Sequence, residues 1–198
     1  MMHWADRFAK TLLMNEKNVI ATGITPSGPI HIGNAREIFT AETIWKVLKD
    51  NDNKSELIYI SDTFDPLRKR YPFLDKKYEK YVGMPLSEIP CPCSNHKSYA
   101  EHFLEPFLES IEKFGIDMKV YRVNEMYKKG SYREVCKTAM RERQRIREIL
   151  SRYREEPLPD SWVPLRAICS SCKSMRDTEI YSEDGRYVYY KCRRCENE

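Results

Sequence analysis

Hydrophobic residues follow two different periods along the chain, and each period predicts a type of element. An apolar run over residues 18–24 fits a parallel strand that is buried on both faces. Residues 56–60 form a β-branched and aromatic run that predicts a second strand, and residues 118–123 predict a third. Four apolar residues recur at helical spacing between the first two runs: Ile38, Ala41, Trp45 and Leu48. The order strand, helix, strand predicts an α/β fold with a parallel sheet.

Capping signals predict the other helices. Residues 6–14 have helical periodicity, and a capping box at residues 98–101 opens a helix that closes at Gly115. Pro106 predicts a kink or a later start of that helix. A second box, at residues 131–134, predicts one long helix to about residue 154.

Two stretches are rich in proline. Residues 62–92 form a long, loop-rich connection, and such loops in compact domains are usually functional. Residues 157–164 carry three prolines and predict a stiff linker. The chain therefore divides into a larger domain over residues 1–155 and a small one over residues 156–198.

The turn after the first strand carries polar residues suited to phosphate binding. It reads Thr25-Pro26-Ser27-Gly28-Pro29-Ile30-His31-Ile32-Gly33-Asn34. Asn34 followed by Glu37 predicts an N-cap with its capping partner. Free backbone N–H groups and the positive end of the helix dipole then lie beside an imidazole and an amide, which favours a phosphate. The alternative is a plain strand–turn–helix core in which His31 is only a satisfied polar residue.

This turn resembles the HIGH signature of class I aminoacyl-tRNA synthetases, in the form with Asn in the last place. With Gly23 and Ile24 ahead of it, it is similar to the class I lysyl-tRNA synthetases. Four other segments agree with that family: residues 3–6, 65–69 and 98–103, and a late cysteine quartet. The resemblance runs from residue 2 to about residue 195. It covers less than the first half of such an enzyme, and the KMSKS loop has no counterpart in it.

The resemblance implies a fold and an activity. The fold is the first half of a Rossmann-like HUP nucleotide-binding fold, followed by a connective-peptide zinc ribbon that is expected to be incomplete. The activity is that of a lysine–tRNA ligase, which activates lysine with ATP to lysyl-adenylate and transfers it to tRNA(Lys). Mg²⁺ bridging the phosphates is expected with ATP.

The resemblance also implies roles for individual residues. His31 and Asn34 are the expected catalytic residues, because they would donate hydrogen bonds to the phosphates in the transition state. The expected ATP-binding residues are Thr25, Pro26, Ser27, Gly28, His31, Gly33 and Asn34. The expected lysine-binding residues are Gly23, Thr25 and, as the carboxylate for the ammonium group, Asp62.

The spacing of four cysteines predicts a zinc site. Cys169-x2-Cys172 and Cys192-x2-Cys195 are separated by nineteen residues, and a hairpin signature at Asp184-Gly185 lies between them. Two knuckles joined by a hairpin make a ribbon in which four thiolates hold a structural Zn²⁺. The alternative is four unrelated thiols.

A second group of candidate ligands precedes the helix that begins near residue 98. Cys91 and Cys93, with His96 and His102, suggest a second metal, but this spacing fits no standard zinc knuckle. The spacing alone favours a role in structure or in lining a pocket.

Composition limits the class of protein. The 198 residues allow one good core and a small satellite. Hydrophobic residues at 41% and charged residues at 32% are typical of a globular protein. No apolar run approaches the roughly 20 residues of a membrane helix, and the start lacks a secretory signal. These features predict a cytoplasmic protein with no membrane partner, whose seven cysteines are thiols or metal ligands.

A basic segment leaves two interpretations open, a solvated helix face or a nucleic-acid contact, and the net charge of +4 does not decide between them. Its members are Lys128, Lys129, Arg133, Lys137, Arg141, Arg143, Arg145, Arg147, Arg152 and Arg154.

Three hypotheses for the whole chain follow. The first, which the resemblance favours, is the N-terminal part of a truncated or split synthetase whose other half comes from a separate chain. The second is a relic that binds ATP or tRNA without aminoacylation. The third is a zinc-ribbon nucleic-acid-binding module on an unrelated α/β scaffold.

Overall fold

A three-stranded parallel sheet organises the first part of the computed structural model, which describes residues 3–198. The strands are β1 (Lys17–Ile24), β2 (Lys54–Ser61) and β3 (Lys119–Arg122), in the order β1-β2-β3. Residues 18 to 24 of β1 pair in register with residues 55 to 61 of β2. The three predicted strands, their parallel pairing and the α/β class are therefore confirmed.

Three helices accompany this sheet: α1 (Trp4–Leu12), α2 (Ile32–Asp50) and α3 (Tyr99–Lys113). The core forms where α2 and α3 bring apolar side chains onto Leu57 and Tyr59 of β2; it includes Ala35, Ile38, Leu104, Phe107 and Ile111. Alternation along β2 explains this placement, because residues 57, 59 and 61 are buried and their neighbours are less so. Because the strands are parallel, their carboxyl ends and the turn before α2 lie at the same edge of the sheet.

Residues 3–64 and 90–125 make up one compact unit, and residues 65–89 and 126–198 make up a second. The domain boundary predicted between residues 155 and 156 stays a prediction. Across residues 3–198, no helix combines the length and the apolar content that crossing a bilayer requires.

The helix α3 begins at Tyr99, with Ser98 as its N-cap, so a late start at Pro106 is wrong. The Ser98 side chain accepts from the Glu101 N–H at 3.3 Å, as a capping box requires. The Glu101 carboxylate does not complete the box, because Arg122 holds it with two hydrogen bonds of 2.8 and 2.9 Å. This bidentate pair joins α3 to β3.

The long helix predicted from residue 131 is wrong in its start and its continuity. A short helix, α4 (Val123–Lys128), precedes two further helices, α5 (Arg133–Arg141) and α6 (Arg143–Ser151). Tyr132 is the N-cap of α5, without a side-chain cap. The chain leaves helical geometry at Glu142 (φ −91°, ψ 11°). Met140 is the buried residue of α5 and α6 has none, so packing does not hold a continuous helix here.

The second unit is built around a hairpin. Strands β4 (Thr178–Glu183) and β5 (Val188–Cys192) pair antiparallel, which confirms the hairpin predicted at Asp184-Gly185. Residues 65–89, which include two short 3₁₀ helices (Lys76–Tyr81 and Leu86–Glu88), pack with the segment that carries the hairpin. Met175 donates to the Gly83 carbonyl at 2.8 Å, and Arg194 donates to the Lys80 carbonyl at 2.6 Å.

Gly23 lies where the strands β1 and β2 approach each other closely. A Cβ at this position would sit 2.3 Å from the backbone oxygen of Ile60. We expect Gly23→Ala to lower the free energy of unfolding by about 1–3 kcal/mol, because a backbone carbonyl has little freedom to move away. Urea unfolding of the chain measures this change. Ala21→Val is the control, since Ala21 is exposed in the same strand and a change within about 0.5 kcal/mol is expected there. Equal midpoints for Gly23→Ala and wild type would contradict the prediction.

Candidate functional site

The first turn of α2 is capped by His31, not by Asn34. The Nδ1 of His31 accepts from the Gly33 N–H at 3.1 Å, and the His31 N–H donates to Asn34 Oδ1 at 3.2 Å. The two residues therefore form a reciprocal capping box with His31 at N-cap and Asn34 at N3. The prediction that Asn34 is the N-cap and Glu37 its partner is therefore wrong, because both positions of the box lie three residues earlier, at His31 and Asn34.

This capping box decides which groups of the turn remain available. Because Nδ1 of His31 is an acceptor, the imidazole carries its proton on Nε2. The oxygen of the Asn34 amide is occupied, which leaves its NH₂ group as a donor. The N–H groups of Gly33, Asn34 and Ala35 already bond within the turn, so the expectation of free backbone donors is wrong at these three positions. The donors come instead from side chains.

Gly33 makes room for the imidazole. A Cβ at Gly33 would lie 3.0 Å from both Cε1 and Nδ1 of His31. A larger residue would require the ring to move by a few tenths of an ångström, as at the start of α1, where the His3 Nδ1 accepts from the Ala5 N–H at a longer 3.4 Å. The structure thus gives Gly33 a steric role that the sequence pattern did not indicate.

The remaining predicted residues gather at the carboxyl edge of the sheet. Residues 25 to 31 connect β1 to α2, with Pro26 buried and the Ser27 N–H bonded to the Thr25 carbonyl at 2.8 Å. The Asp62 N–H bonds to the Ile24 carbonyl at 3.0 Å, so Asp62 lies beside the start of this connection. Gly23, the last but one residue of β1, completes the group.

Three buried hydroxyls near this edge were missed by sequence reasoning. Among the described residues, the side-chain oxygens of Thr22, Tyr59 and Ser61 have no hydrogen-bond partner. Thr22 is the register partner of Tyr59, so these two side chains lie on one face of the sheet. Burial first, and then the charges of Asp62 and Glu37, raise the pKa of Tyr59, which keeps its hydroxyl neutral. The sequence did carry a signal for them. Each is a hydroxyl side chain at a strand position that faces inward, where an apolar side chain would suffice.

A cavity of about 390 Å³ opens beside the turn. His31 and His102 both line it, with aromatic neighbours that include Phe103, Phe107 and Phe114. Tyr99, buried in the first turn of α3, donates to the Ser27 carbonyl at 2.7 Å. The start of α3 therefore contacts the turn directly.

The four late cysteines converge in the second unit. Their sulfur atoms all lie within 4.8 Å of one another, with Cys169 at 3.4 Å from Cys195 and Cys172 at 3.6 Å from Cys192. Burial opposes ionisation of Cys169, but hydrogen bonds led by the Cys172 N–H outweigh it and lower its pKa to about 6.

The two knuckles repeat the same backbone geometry. Lys173 and Glu196, each directly after the second cysteine of its pair, have φ of 60° and 58°. Each donates its N–H to the carbonyl of the first cysteine of its pair, at 3.0 and 2.8 Å. Two equivalent turns that aim four thiols at one point fit a tetrahedral Zn²⁺ with no open position.

A second cluster, which the spacing alone disfavoured, also converges. One ligand atom from each of Cys91, Cys93, His96 and His102 lies within 4.8 Å of the other three. Proximity of all four favours a metal site over a pocket-lining role.

Comparisons with known proteins agree with this arrangement. Residues 2–198 match the family described as tRNA synthetases class I (K). The chain belongs to that family. Its three parallel strands and flanking helices fit the Rossmann-like fold expected of a class I (K) synthetase.

Three relatives, each named lysine–tRNA ligase, illustrate the similarity. The chain is 49% identical over 198 residues to the protein of Methanocaldococcus jannaschii, with 98% of this chain and 37% of the relative covered. It is 47% identical over 197 residues to that of Methanococcus maripaludis (97% and 37%) and 45% identical over 192 residues to that of Archaeoglobus fulgidus (96% and 39%). The chain thus spans somewhat over a third of the length of these relatives and corresponds to their N-terminal part.

The basic segment is partly neutralised by acidic partners. Lys137 pairs with Glu134 at 3.0 Å, and Lys128 with Glu88 at 3.2 Å. Arg147 pairs with Asp160. Exposed pairs of this kind contribute little stability. They reduce the net positive charge of the segment, and a nucleic-acid contact stays a hypothesis.

Proposed function

We propose that this chain supplies the N-terminal part of a lysine–tRNA ligase, whose substrates are lysine, ATP and tRNA(Lys). Identity of 45–49% to three proteins of that name supports the proposal over nearly the whole chain. The observation that carries the chemistry is the capping box, because it leaves one donor on His31 and one on Asn34. A cytoplasmic location, where aminoacylation for protein synthesis takes place, is part of the proposal.

The first reaction is the attack of the lysine carboxylate on the α-phosphate of ATP, which releases pyrophosphate and leaves lysyl-adenylate. No protein nucleophile is needed, so the protein contributes position and countercharge. The Nε2–H of His31 and the amide NH₂ of Asn34 donate to phosphate oxygens as negative charge develops on them. The cap holds both groups at the helix end, so little reorganisation is required at the moment of reaction.

Gly23, Thr25 and Asp62 form the proposed lysine site. Asp62 offers a carboxylate to an ammonium group of the substrate, which needs such a partner once it leaves water. The unpartnered hydroxyls of Thr22, Tyr59 and Ser61 add acceptors nearby, and a buried polar atom without a partner is costly unless a ligand satisfies it.

Two metals are part of the proposal. Cys169, Cys172, Cys192 and Cys195 would hold a structural Zn²⁺, and Mg²⁺ would neutralise charge on the ATP phosphates. A separate C-terminal half that carries the KMSKS lysine is the proposed source of the remaining catalytic groups.

Lysine-dependent pyrophosphate exchange tests the proposal. The chain is assayed alone and together with the part of the Methanocaldococcus jannaschii protein that it does not match. We expect exchange only in the combined sample, and only with lysine; arginine in place of lysine is the control. No exchange in the combined sample, while ATP still binds the chain, would favour a non-aminoacylating relic. RNA binding that survives His31→Ala, without ATP binding, would favour a zinc-ribbon module.

A further inference from the structure

The segment after β2 is a tight turn with Asp62 at its apex. The Thr63 N–H donates to the Ser61 carbonyl at 2.8 Å, which closes a three-residue turn around Asp62. On the side of β1, the Asp62 N–H donates to the Ile24 carbonyl at 3.0 Å. Hydrogen bonds therefore fix the backbone that carries the Asp62 side chain.

Thr63 connects this turn to the end of β3. It is wholly buried, and its hydroxyl donates to Oδ1 of Asn124 at 2.7 Å. The same hydroxyl oxygen accepts from the Asn124 N–H at 3.2 Å. Asn124 is the second residue of α4, and Arg122, the last residue of β3, is the register partner of Ser61. The reciprocal pair thus continues the contact between β2 and β3 two residues beyond the ladder.

A hydroxyl at a wholly buried position has a cost that an apolar residue avoids. Without a partner it would lose its hydrogen bonds to water, so Asn124 has to satisfy it. The two bonds give the Thr63 side chain one orientation, and the backbone next to Asp62 is held with it. A carboxylate that binds a ligand needs such support, because the groups of a site work well only when they are held to within about 0.5 Å.

We propose that Thr63 and Asn124 are positioning residues, which hold the Asp62 carboxylate where it meets an ammonium group of lysine. The inference rests on the proposed function, in which Asp62 contacts the substrate. That contact is made equally in the ground state and in the transition state, because no bond to the ammonium group changes. Displacement of the carboxylate therefore weakens lysine binding and leaves the chemical step nearly unchanged.

The main test is the KM for lysine in pyrophosphate exchange, with the remainder of the enzyme supplied. Thr63→Val removes the hydroxyl and should raise this KM about tenfold, with kcat within about twofold of wild type. Thr63→Ser restores the hydroxyl and should return the KM to within about twofold of wild type. Ile111→Val, which weakens the core at α3 without touching the turn, is the matched control and should leave the KM unchanged. An unchanged KM in Thr63→Val, or an equal rise in Ile111→Val, overturns the positioning role.

A double-mutant comparison shows whether the effect passes through Asp62. Asp62→Asn should itself raise the KM for lysine, and Thr63→Val added to it should change the KM by less than about twofold, because the carboxylate is gone. Asn124→Ala removes the Oδ1 acceptor but keeps the backbone N–H, so its rise should be smaller than that of Thr63→Val. The same rise from Thr63→Val in both backgrounds would mean that Thr63 acts elsewhere, and it overturns the proposal.

Amide hydrogen exchange of the chain alone separates this inference from the proposed function. The amide protons of Asp62 and Thr63 should exchange about tenfold faster in Thr63→Val than in wild type or Thr63→Ser. Amides in the middle of β1 are the control and should be equally protected in all three proteins. An unchanged rate at Asp62 overturns the positioning role, whatever the substrate is. A faster rate there, with no lysine-dependent reaction in wild type, would instead overturn the proposed function and leave the link between Thr63 and Asp62 standing.

Discussion

His31→Ala is expected to lower lysine-dependent pyrophosphate exchange about a hundredfold, which corresponds to about 2.7 kcal/mol of transition-state stabilisation. The reason is the loss of the Nε2–H donor at the start of α2. The same substitution removes the N-cap and should also cost about 1 kcal/mol of stability. Exchange is measured with the remainder of the enzyme supplied, and stability is measured by urea unfolding of the chain. Unchanged exchange would remove His31 from the mechanism.

Two further variants separate the two roles of the ring. Asparagine has an oxygen close to the backbone, where Nδ1 lies, so His31→Asn should keep the cap and unfold within a few tenths of a kcal/mol of wild type. Its amide does not reach as far as Nε2, and exchange should stay about a hundredfold low. Glutamine carries its amide further out, so His31→Gln should recover part of the exchange but not the cap. If stability and exchange change together across the three variants, the two roles are not separable.

Removal of zinc from the four-cysteine site is expected to unfold the β4–β5 hairpin. In these strands Ile180 and the ligand Cys192 are the buried residues, so apolar burial alone cannot hold the pair together. Structural zinc contributes about 10–16 kcal/mol of apparent binding free energy in zinc-finger peptides, which is ample for a hairpin of this size.

Cys169→Ser, or a strong chelator, should therefore broaden or collapse the resonances of Tyr181 and Tyr187, while those of β1 and β2 persist. Cys136→Ser is the control and should leave the hairpin intact. A hairpin that stays folded in metal-free chain would count against the zinc ribbon.

Periodicity was sufficient to predict the sheet. The strands β1 and β2 are bounded by turn residues and filled with apolar side chains, so their positions depend on local pattern alone. The four-cysteine cluster was also predictable, because two short knuckles impose a fixed spacing. The start of α2 was not. Histidine is an uncommon N-cap, although both His3 and His31 serve as one in this protein, so the residue preferences of helix starts did not point to His31.

Features that depend on tertiary contacts could not be predicted from the sequence. Glu101 has the spacing of a capping partner, but Arg122 lies 21 residues away in sequence and holds it more strongly. His102 belongs to a helix and Cys91 to a loop, so no ligand spacing connects them until the chain folds back. The helix breaks at Glu142 because α5 and α6 have no continuous stripe of buried apolar side chains. The charged residues recur at helical spacing whether or not such a stripe is present, so the sequence pattern did not indicate the break.

The discontinuity of the second unit bears on the order in which the protein folds during synthesis. The first unit is complete once residue 125 has left the ribosome. In the second unit, the Gly83 carbonyl can bond only after Met175 has been synthesised, and the Lys80 carbonyl only after Arg194 has been. At about 5–20 residues per second, residues 65–89 stay without their partners for roughly 5 to 20 s. Once residue 125 has emerged, the segment is joined at both ends to the first unit for the rest of that interval, which limits the conformations and the intermolecular encounters open to it.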